Sequence, residues 1–287
     1  MINSIKKEIN IFWRFIRSDI WATIIPGLIM TSIALIHFHI DLKVSIIILF
    51  QSLIYFTLYE YSFVLTNQLG SIEEDSINKP FRPLPQKLVT RNQTLQRSLL
   101  VSLIFLIVGF LLGILPWAIL WVSVSLFHNI WGHRHWLTKN VISMSLGILS
   151  IIGAAWELVM PLEPSVLKWG IVISTILGFC AVMQDFRDVS GDRLSKRKTL
   201  PIDLGDYKAR IVSFFISVTS FIVFYIFIIY PSRDNDLTRV FSLVIFFLFL
   251  FIPTRLLIYR DPKSDHITYT ILLYLFNLLL LSGLVYL

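Results

Sequence analysis

The chain has 287 residues, of which 56% are hydrophobic and only 15% are charged, and its mean hydropathy is +0.75. Soluble proteins average about 25% charged residues, so this composition excludes an ordinary water-soluble domain. The net charge of +7 could suit nucleic acid, but the basic residues are spread between apolar segments instead of forming one patch. We therefore expect no nucleic-acid partner.

About nine apolar segments follow one another along the chain, and most approach the roughly 20 residues that a helix needs to cross a bilayer. They do not alternate apolar and polar residues as the strands of a membrane barrel do. The sequence predicts one all-α domain over residues 1–287, a multi-pass transmembrane helix bundle. The segments are residues 20–39, 44–66, 97–114, 115–128, 140–159, 166–184, 211–230, 240–259 and 267–287.

The basic residues indicate how this bundle is oriented. If the N-terminus is cytoplasmic, the segments on the cytoplasmic side contain most of the 25 Lys and Arg residues, as the positive-inside rule requires. Nine spans then leave the C-terminus outside. The two longest internal loops, which follow the second and sixth spans, lie on the cytoplasmic side, so we expect the active site there.

The first of these loops begins with NQLGSIEEDSINKPFRPLP, residues 67–85. A helix that continued past the membrane would place Asn67, Ser71, Glu74 and Asn78 on one face, with Asp75 beside them. The segment ends at three prolines, which forbid a regular helix. This pattern predicts a group of oxygen ligands at the end of a span.

The second loop contains QDFRDVSGDRLSKRKTLP, residues 184–201. A helix would align the carboxylates of Asp185, Asp188 and Asp192, and like charges so placed repel each other unless a cation holds them. Mg²⁺ prefers oxygen ligands and often bridges to substrate phosphates. The basic residues that follow, Arg193 and Lys198 among them, suit phosphate oxygens.

Either acidic segment alone could be a solvated loop beside the membrane. Together, on one side and each followed by cations, they favour a shared Mg²⁺ site for a diphosphate whose hydrocarbon lies among the spans. Glu60 lies inside the second span, where ionisable residues are functional candidates, although a hydrogen-bonded structural role explains it equally well.

A third polar segment, HNIWGHRH at residues 128–135, contains three histidines. Their spacing would permit a metal site. We instead interpret the segment as a loop over the mouth of the active site, with Asn129 near the substrate.

The two acidic segments resemble the motifs of the UbiA superfamily of membrane prenyltransferases. The first family motif is approximately NDxxDxxxD, and residues 67–75 read NQLGSIEED, so Asn67 and Asp75 match while Gln68 and Ser71 replace the usual aspartates. The second motif is matched by DFRDVSGD, residues 185–192. The segments NKPFRPLP and WRFIRSDI are similar to those of the family's terpene cyclase branch.

This resemblance implies nine transmembrane helices and a Mg²⁺-dependent enzyme that ionises a prenyl diphosphate and cyclises it. The alternative is transfer of the prenyl group to an aromatic or quinone-precursor acceptor. A transporter of an anionic lipid would place its broken helices near the midplane, whereas these charges gather at one face. We expect contact with the lipid bilayer, and we infer no obligate protein partner.

We assign three sets of site residues from the two motifs and the polar segment. The expected metal ligands are Glu74, Asp75, Asp185, Asp188 and Asp192. The expected catalytic set adds Asn67 and Gln68 to these five acids. The expected substrate-binding residues are Lys79, Arg82, Asn129, Arg193 and Lys198.

Overall fold

The computed structural model describes residues 2–232 and 235–287, which form helices and one isolated β-bridge between His135 and Lys198. The first half of the chain contains α1 Ile2–Ile16, α2 Ile24–His37, α3 Leu42–Gly70, α4 Ile72–Asn78, α5 Arg91–Leu111 and α6 Leu115–Ile130. The second half contains α7 Ser145–Glu157, α8 Pro164–Cys180, α9 Val189–Leu194, α10 Leu200–Leu204, α11 Asp206–Phe224, α12 Asp236–Ile258, α13 Pro262–Leu281 and α14 Gly283–Tyr286.

Three of these helices are extended by irregular helical turns. A π-helical segment, Leu137–Met144, leads into α7, and a second, Tyr225–Ile229, follows α11. A 3₁₀ segment, Ala181–Phe186, continues α8. The first π-helical segment and the 3₁₀ segment lie beside the acidic residues of the second motif, and π-helical turns are frequent at functional sites.

Eight helical segments in the described ranges are long and apolar enough to cross a membrane, and α6 is a shorter apolar helix. In chain order they correspond to the nine predicted segments, with α6 matching residues 115–128. The prediction of an all-α, multi-pass membrane bundle is confirmed.

The helices close into a bundle because α13 packs back against α2. Earlier in the chain α3 contacts α2, α5 and α6, and later α11 contacts α8 and α12. The interior is built from large apolar side chains that are fully buried, such as Tyr55, Phe105, Trp156 and Phe249. Many outer faces carry exposed Leu, Ile and Phe, as expected for helices in contact with lipid.

Neither acidic segment forms the continuous helix that the sequence suggested. Helix α3 ends at Gly70, and Ser71 has φ −124° before α4 begins. A Cβ on Gly70 would lie 2.7 Å from the carbonyl oxygen of Asn129, so glycine allows the close approach of the last turn of α6. The second motif changes from 3₁₀ helix to a turn at Asp188 and then to α9, so its three aspartates do not share one regular helix.

Candidate active site

Helices α4 and α9 bring the two motifs into direct contact. The Asn78 side-chain amide donates to the carbonyl oxygen of Asp188 at 2.9 Å, and its Oδ1 accepts from the backbone N–H of Gly191 at 3.0 Å. A Cβ on Gly191 would lie 2.5 Å from Asn78 Nδ2. Glycine at this position therefore leaves room for the Asn78 side chain between α4 and α9.

A buried arginine, Arg197, joins the acids of the two motifs. Its Nη1 lies 2.5 Å from Glu74 Oε2 and 3.2 Å from Asp192 Oδ1. Its Nη2 donates to Ser71 Oγ at 3.2 Å. The backbone of Lys196 has φ +53°, and this left-handed residue, which costs about 1–2 kcal/mol in a non-glycine residue, turns the chain so that Arg197 faces inward.

Lys139 neutralises the inner acid of the second motif. Its Nζ lies 2.6 Å from Asp185 Oδ1 and 4.0 Å from Asp192 Oδ2. The amide of Asn140 donates to the other oxygen of Asp185 at 2.8 Å. Both partners belong to the π-helical segment before α7, so this irregular turn positions Asp185.

Arg82 holds the last acid of the first motif. Its Nη1 donates to both oxygens of Asp75, at 2.9 and 2.8 Å, and to Asn67 Oδ1 at 3.1 Å. Asn67 in turn donates to Asn129 Oδ1 at 3.1 Å. The last turn of α6, which contains Asn129, is thereby connected to the first motif.

Two cations lie near the carboxylate of Asp188. Lys79 Nζ and Arg187 Nε are each 3.5 Å from Asp188 Oδ2. The guanidinium of Arg187 also lies over the ring of Tyr269, 3.9 Å from its centroid, which connects α13 to the second motif.

These neighbours change the pKa values of the acids in opposite directions. For Asp188, burial alone would raise the pKa, but Lys79, Arg187 and Lys139 outweigh it and lower the pKa to about 2. The pKa of Glu74 is also lowered, since its cationic neighbours outweigh burial. For Asp192, burial with the nearby Asp185 and Glu74 outweighs Lys139 and Arg197 and raises the pKa to about 6.

A cavity of about 90 Å³ lies between these charged groups. Its wall includes Phe63, Asn67, Glu74, Arg82, Lys139 and Arg197. A groove of about 630 Å³ shares Asp19, Lys79, Arg82, Arg187 and Tyr269 with this central cavity, and it also has apolar walls formed by Trp21, Phe81, Ile267 and Leu273.

The structure brings most of the expected site residues together, but not all. The side chains of Arg193 and Lys198 are exposed, and Arg197 contacts the acids instead. Gln68 is buried, and within the described ranges its Oε1 has no hydrogen-bond partner. The sequence interpretation missed Lys139, Arg187 and Arg197. Arg197 is one of the basic residues that follow the second motif, but nothing in the sequence distinguished it from its exposed neighbours.

Among the described residues the acids do not form a magnesium site by themselves, so a metal ion would also need substrate oxygens. In the part of the chain that the structure describes, no three Asp, Glu, His or Cys side chains are grouped to hold one ion, because cations separate the carboxylates. Asp192 Oδ2 nevertheless accepts no hydrogen bond there. Mg²⁺ is usually held by one or two carboxylates together with substrate phosphates, and this donor set is consistent with that arrangement.

The chain matches the UbiA prenyltransferase family over residues 21–280. It is 30% identical to somaliensene A/B synthase of Streptomyces somaliensis over 97% of this chain and 93% of that protein. It is 31% identical to the diterpene cyclase eriG of Hericium erinaceus over 96% of this chain and 88% of that protein.

A solved structure has a similar fold. It is a UbiA homolog from Archaeoglobus fulgidus bound to GPP and Mg²⁺, with a TM-score of 0.64, 12% identity, and coverage of 95% of this chain and 99% of that one. At this level of identity the likeness concerns the fold.

Proposed function

Because the chain belongs to the UbiA prenyltransferase family, we propose that it is a membrane enzyme that ionises a prenyl diphosphate with Mg²⁺ and cyclises the resulting cation to a terpene. The two relatives that match nearly the whole chain are named as a terpene synthase and a diterpene cyclase. The solved homolog bound to GPP and Mg²⁺ supports the substrate class and the metal.

The observation that carries this proposal is the convergence of the two acidic motifs beside one cavity that is lined by five buried or half-buried cations. Each carboxylate is now paired with a cation of this chain. A diphosphate could exchange these partners, because its oxygens would attract the cations and leave carboxylate oxygens free. The cations are Lys79, Arg82, Lys139, Arg187 and Arg197.

The acids and the cations of the site would have different roles in ionisation. Glu74, Asp75, Asp185, Asp188 and Asp192 would hold magnesium, which supplies positive charge that neutralises the diphosphate as a leaving group. The C–O bond breaks, and the diphosphate leaves with the electron pair. The cations of the site stabilise the negative charge that develops, since they are already positioned in a largely buried environment.

The prenyl cation needs an apolar space that excludes water. Phe63 lines the central cavity and lies 5.2 Å, between ring centroids, from Trp121. Trp121 stacks on Tyr59 at 3.9 Å. The face of an aromatic ring attracts cations, so Phe63, supported by Trp121, is suited to stabilise positive charge next to the diphosphate. The cavity must expand to admit the hydrocarbon.

Transfer of the prenyl group to a separate acceptor is the second candidate, and the family's description as prenyltransferases favours it. Both reactions begin with the same ionisation. We test them with protein purified in detergent and supplied with Mg²⁺ and farnesyl or geranylgeranyl diphosphate, without an acceptor. A cyclic hydrocarbon or alcohol is expected. Products that form only after an aromatic acceptor is added would establish transfer instead, and binding without release of diphosphate would favour transport.

We also propose that the N-terminus and the site face the cytoplasm and that the C-terminus is external, because the positive-inside rule favours this orientation. The native Cys180 is buried, so single exposed cysteines can report sidedness. In intact cells an impermeant maleimide should label Lys43→Cys but not Lys7→Cys. The reverse pattern would contradict this orientation.

A further inference from the structure

A third cavity, of about 570 Å³, lies on the other side of the charged site. Its wall shares Ser71, Glu74, His133 and Arg197 with the central cavity, and none of its lining residues with the apolar groove. We call it the outer cavity. The central cavity therefore lies between two different spaces, one with apolar walls and one with charged walls.

The outer cavity carries an excess of positive charge. Besides Arg197, it is lined by Arg91, Arg134 and Lys196, against two acids, Glu73 and Glu74. The side chains of Arg91, Arg134 and Lys196 are exposed. Among residues 2–232 and 235–287, these three cations have no hydrogen-bonded or ion-paired side-chain partner, so they are free to bind an anion.

Backbone hydrogen bonds hold two walls of this cavity in place. The N–H of Lys198 donates to the carbonyl oxygen of Arg134 at 2.7 Å, and the N–H of Trp136 donates to the carbonyl oxygen of Lys198 at 2.8 Å. The left-handed backbone of Lys196, with φ +53°, separates two neighbours in the chain: Lys196 remains exposed, while Arg197 is turned toward the acids. This arrangement positions cations on both sides of the boundary between the two cavities.

Arg197 belongs to both cavities and can contact an anion in either one. Its Nη atoms are engaged by Glu74, Asp192 and Ser71. Its Nε is buried and has no partner in the part of the chain described here. An anion that leaves the central cavity past Arg197 would next meet Arg91, Arg134 and Lys196.

We infer that the outer cavity is a binding site for inorganic diphosphate on its way out of the enzyme, separate from the groove with apolar walls. This inference rests on the proposed function, since ionisation of a prenyl diphosphate produces that anion. Electrostatic attraction to the outer cavity would draw the diphosphate, which carries two or more negative charges, away from the prenyl cation. The diphosphate would then return to the prenyl cation less often.

The test compares a triple variant with a matched control. Arg91→Gln, Arg134→Gln and Lys196→Gln together remove the three exposed cations of the outer cavity. Lys6→Gln, Lys7→Gln and Lys208→Gln remove the same charge from exposed positions elsewhere. In steady-state assays, the inhibition constant for inorganic diphosphate should rise roughly threefold or more in the first variant. The KM for prenyl diphosphate should change less than about twofold, and the control should resemble the wild type.

Binding measured without turnover keeps this inference separate from the proposed function. In EDTA, calorimetry should detect inorganic diphosphate bound to the wild type and weaker binding to the triple variant. Equal binding by the two proteins, or a parallel rise of KM and the inhibition constant, would overturn the inference. If anionic phospholipid in nanodiscs displaced diphosphate from the wild type, the cavity would be a lipid headgroup site instead. Absence of turnover with binding intact would count only against the proposed function.

Discussion

Asn78 and Gly191 hold the two acidic motifs together, because the side chain of one bonds the backbone of the other at 3.0 Å. The contact spans more than a hundred residues of chain. It also fixes Asp188, whose carbonyl oxygen accepts from the same Asn78 amide at 2.9 Å. The Asn78 amide and the absence of a side chain at Gly191 therefore help to fix the relative position of the two motifs, together with the ion pairs of Arg197.

This contact gives the first prediction. Asn78→Ala should lower turnover about tenfold or more, because a 1 Å displacement of reacting groups can cost that much. Gly191→Ala should be at least as harmful, since its Cβ would lie 2.5 Å from Asn78 Nδ2. Turnover and thermal unfolding in detergent are measured, with Ser195→Ala as the control.

The double variant Asn78→Ala/Gly191→Ala identifies the cause. Removal of the amide makes room for the new Cβ, so the double variant should be no worse than Asn78→Ala alone. A loss equal to the product of the two single losses would contradict the steric explanation.

A second prediction concerns one acid from each motif. Asp188→Ala and Asp75→Ala should each lower turnover by about 100-fold or more, because a group that stabilises developing charge is worth at least that much. Gel filtration and circular dichroism should show folded protein. Full activity in both variants would disprove the assignment of the acids to the site.

Arg197 provides a third prediction, in which the structure differs from the sequence interpretation. Arg197→Gln should lower turnover at least about tenfold, since it leaves Glu74 and Asp192 without their shared cation. Lys208→Gln, at an exposed position, is the control for loss of charge. Arg193→Gln serves for comparison. If it lowered turnover more than Arg197→Gln does, the original assignment of Arg193 to substrate binding would be favoured.

The fourth prediction is a pH dependence of magnesium binding. The pKa of Asp192 is raised to about 6 by burial, Asp185 and Glu74, against the opposing effects of Lys139 and Arg197. Magnesium needs the ionised carboxylate, so its affinity should increase about tenfold between pH 5 and pH 7.5. The readout is the rise in Tm on adding Mg²⁺ with an unreactive diphosphate analogue.

In the metal-free protein, the contribution of Asp192 to stability should decrease as the pH rises, whereas magnesium affinity increases. Because the folded-state pKa of Asp192 lies above its ordinary value, folding binds a proton between about pH 4 and pH 6, and this contribution to stability is lost as the pH rises through 6. Asp192→Asn removes both effects. A metal-dependent shift in Tm that still followed pH in this variant would assign the titration to another group.

The sequence by itself determined the class of the molecule. Long apolar segments can satisfy their backbone only as helices in lipid, so composition and segment length were enough to predict the bundle and its spans. The short segment at residues 115–128 is an apolar helix, Leu115–Ile130, but it is shorter than the eight described helices that are long enough to cross a membrane. The acids of the two motifs were also visible, since clustered carboxylates beside a membrane are unusual in an apolar chain.

Only the tertiary structure decided which charges face each other. Arg193 and Arg197 are chemically identical in the sequence, but after the left-handed turn at Lys196 only Arg197 of the two is buried against Glu74. Lys139 contacts Asp185 from a π-helical turn that no residue pattern predicted. Pairings of this kind depend on backbone geometry and on contacts between distant segments. The local sequence therefore indicates which residues belong to the site, but not which residues they contact.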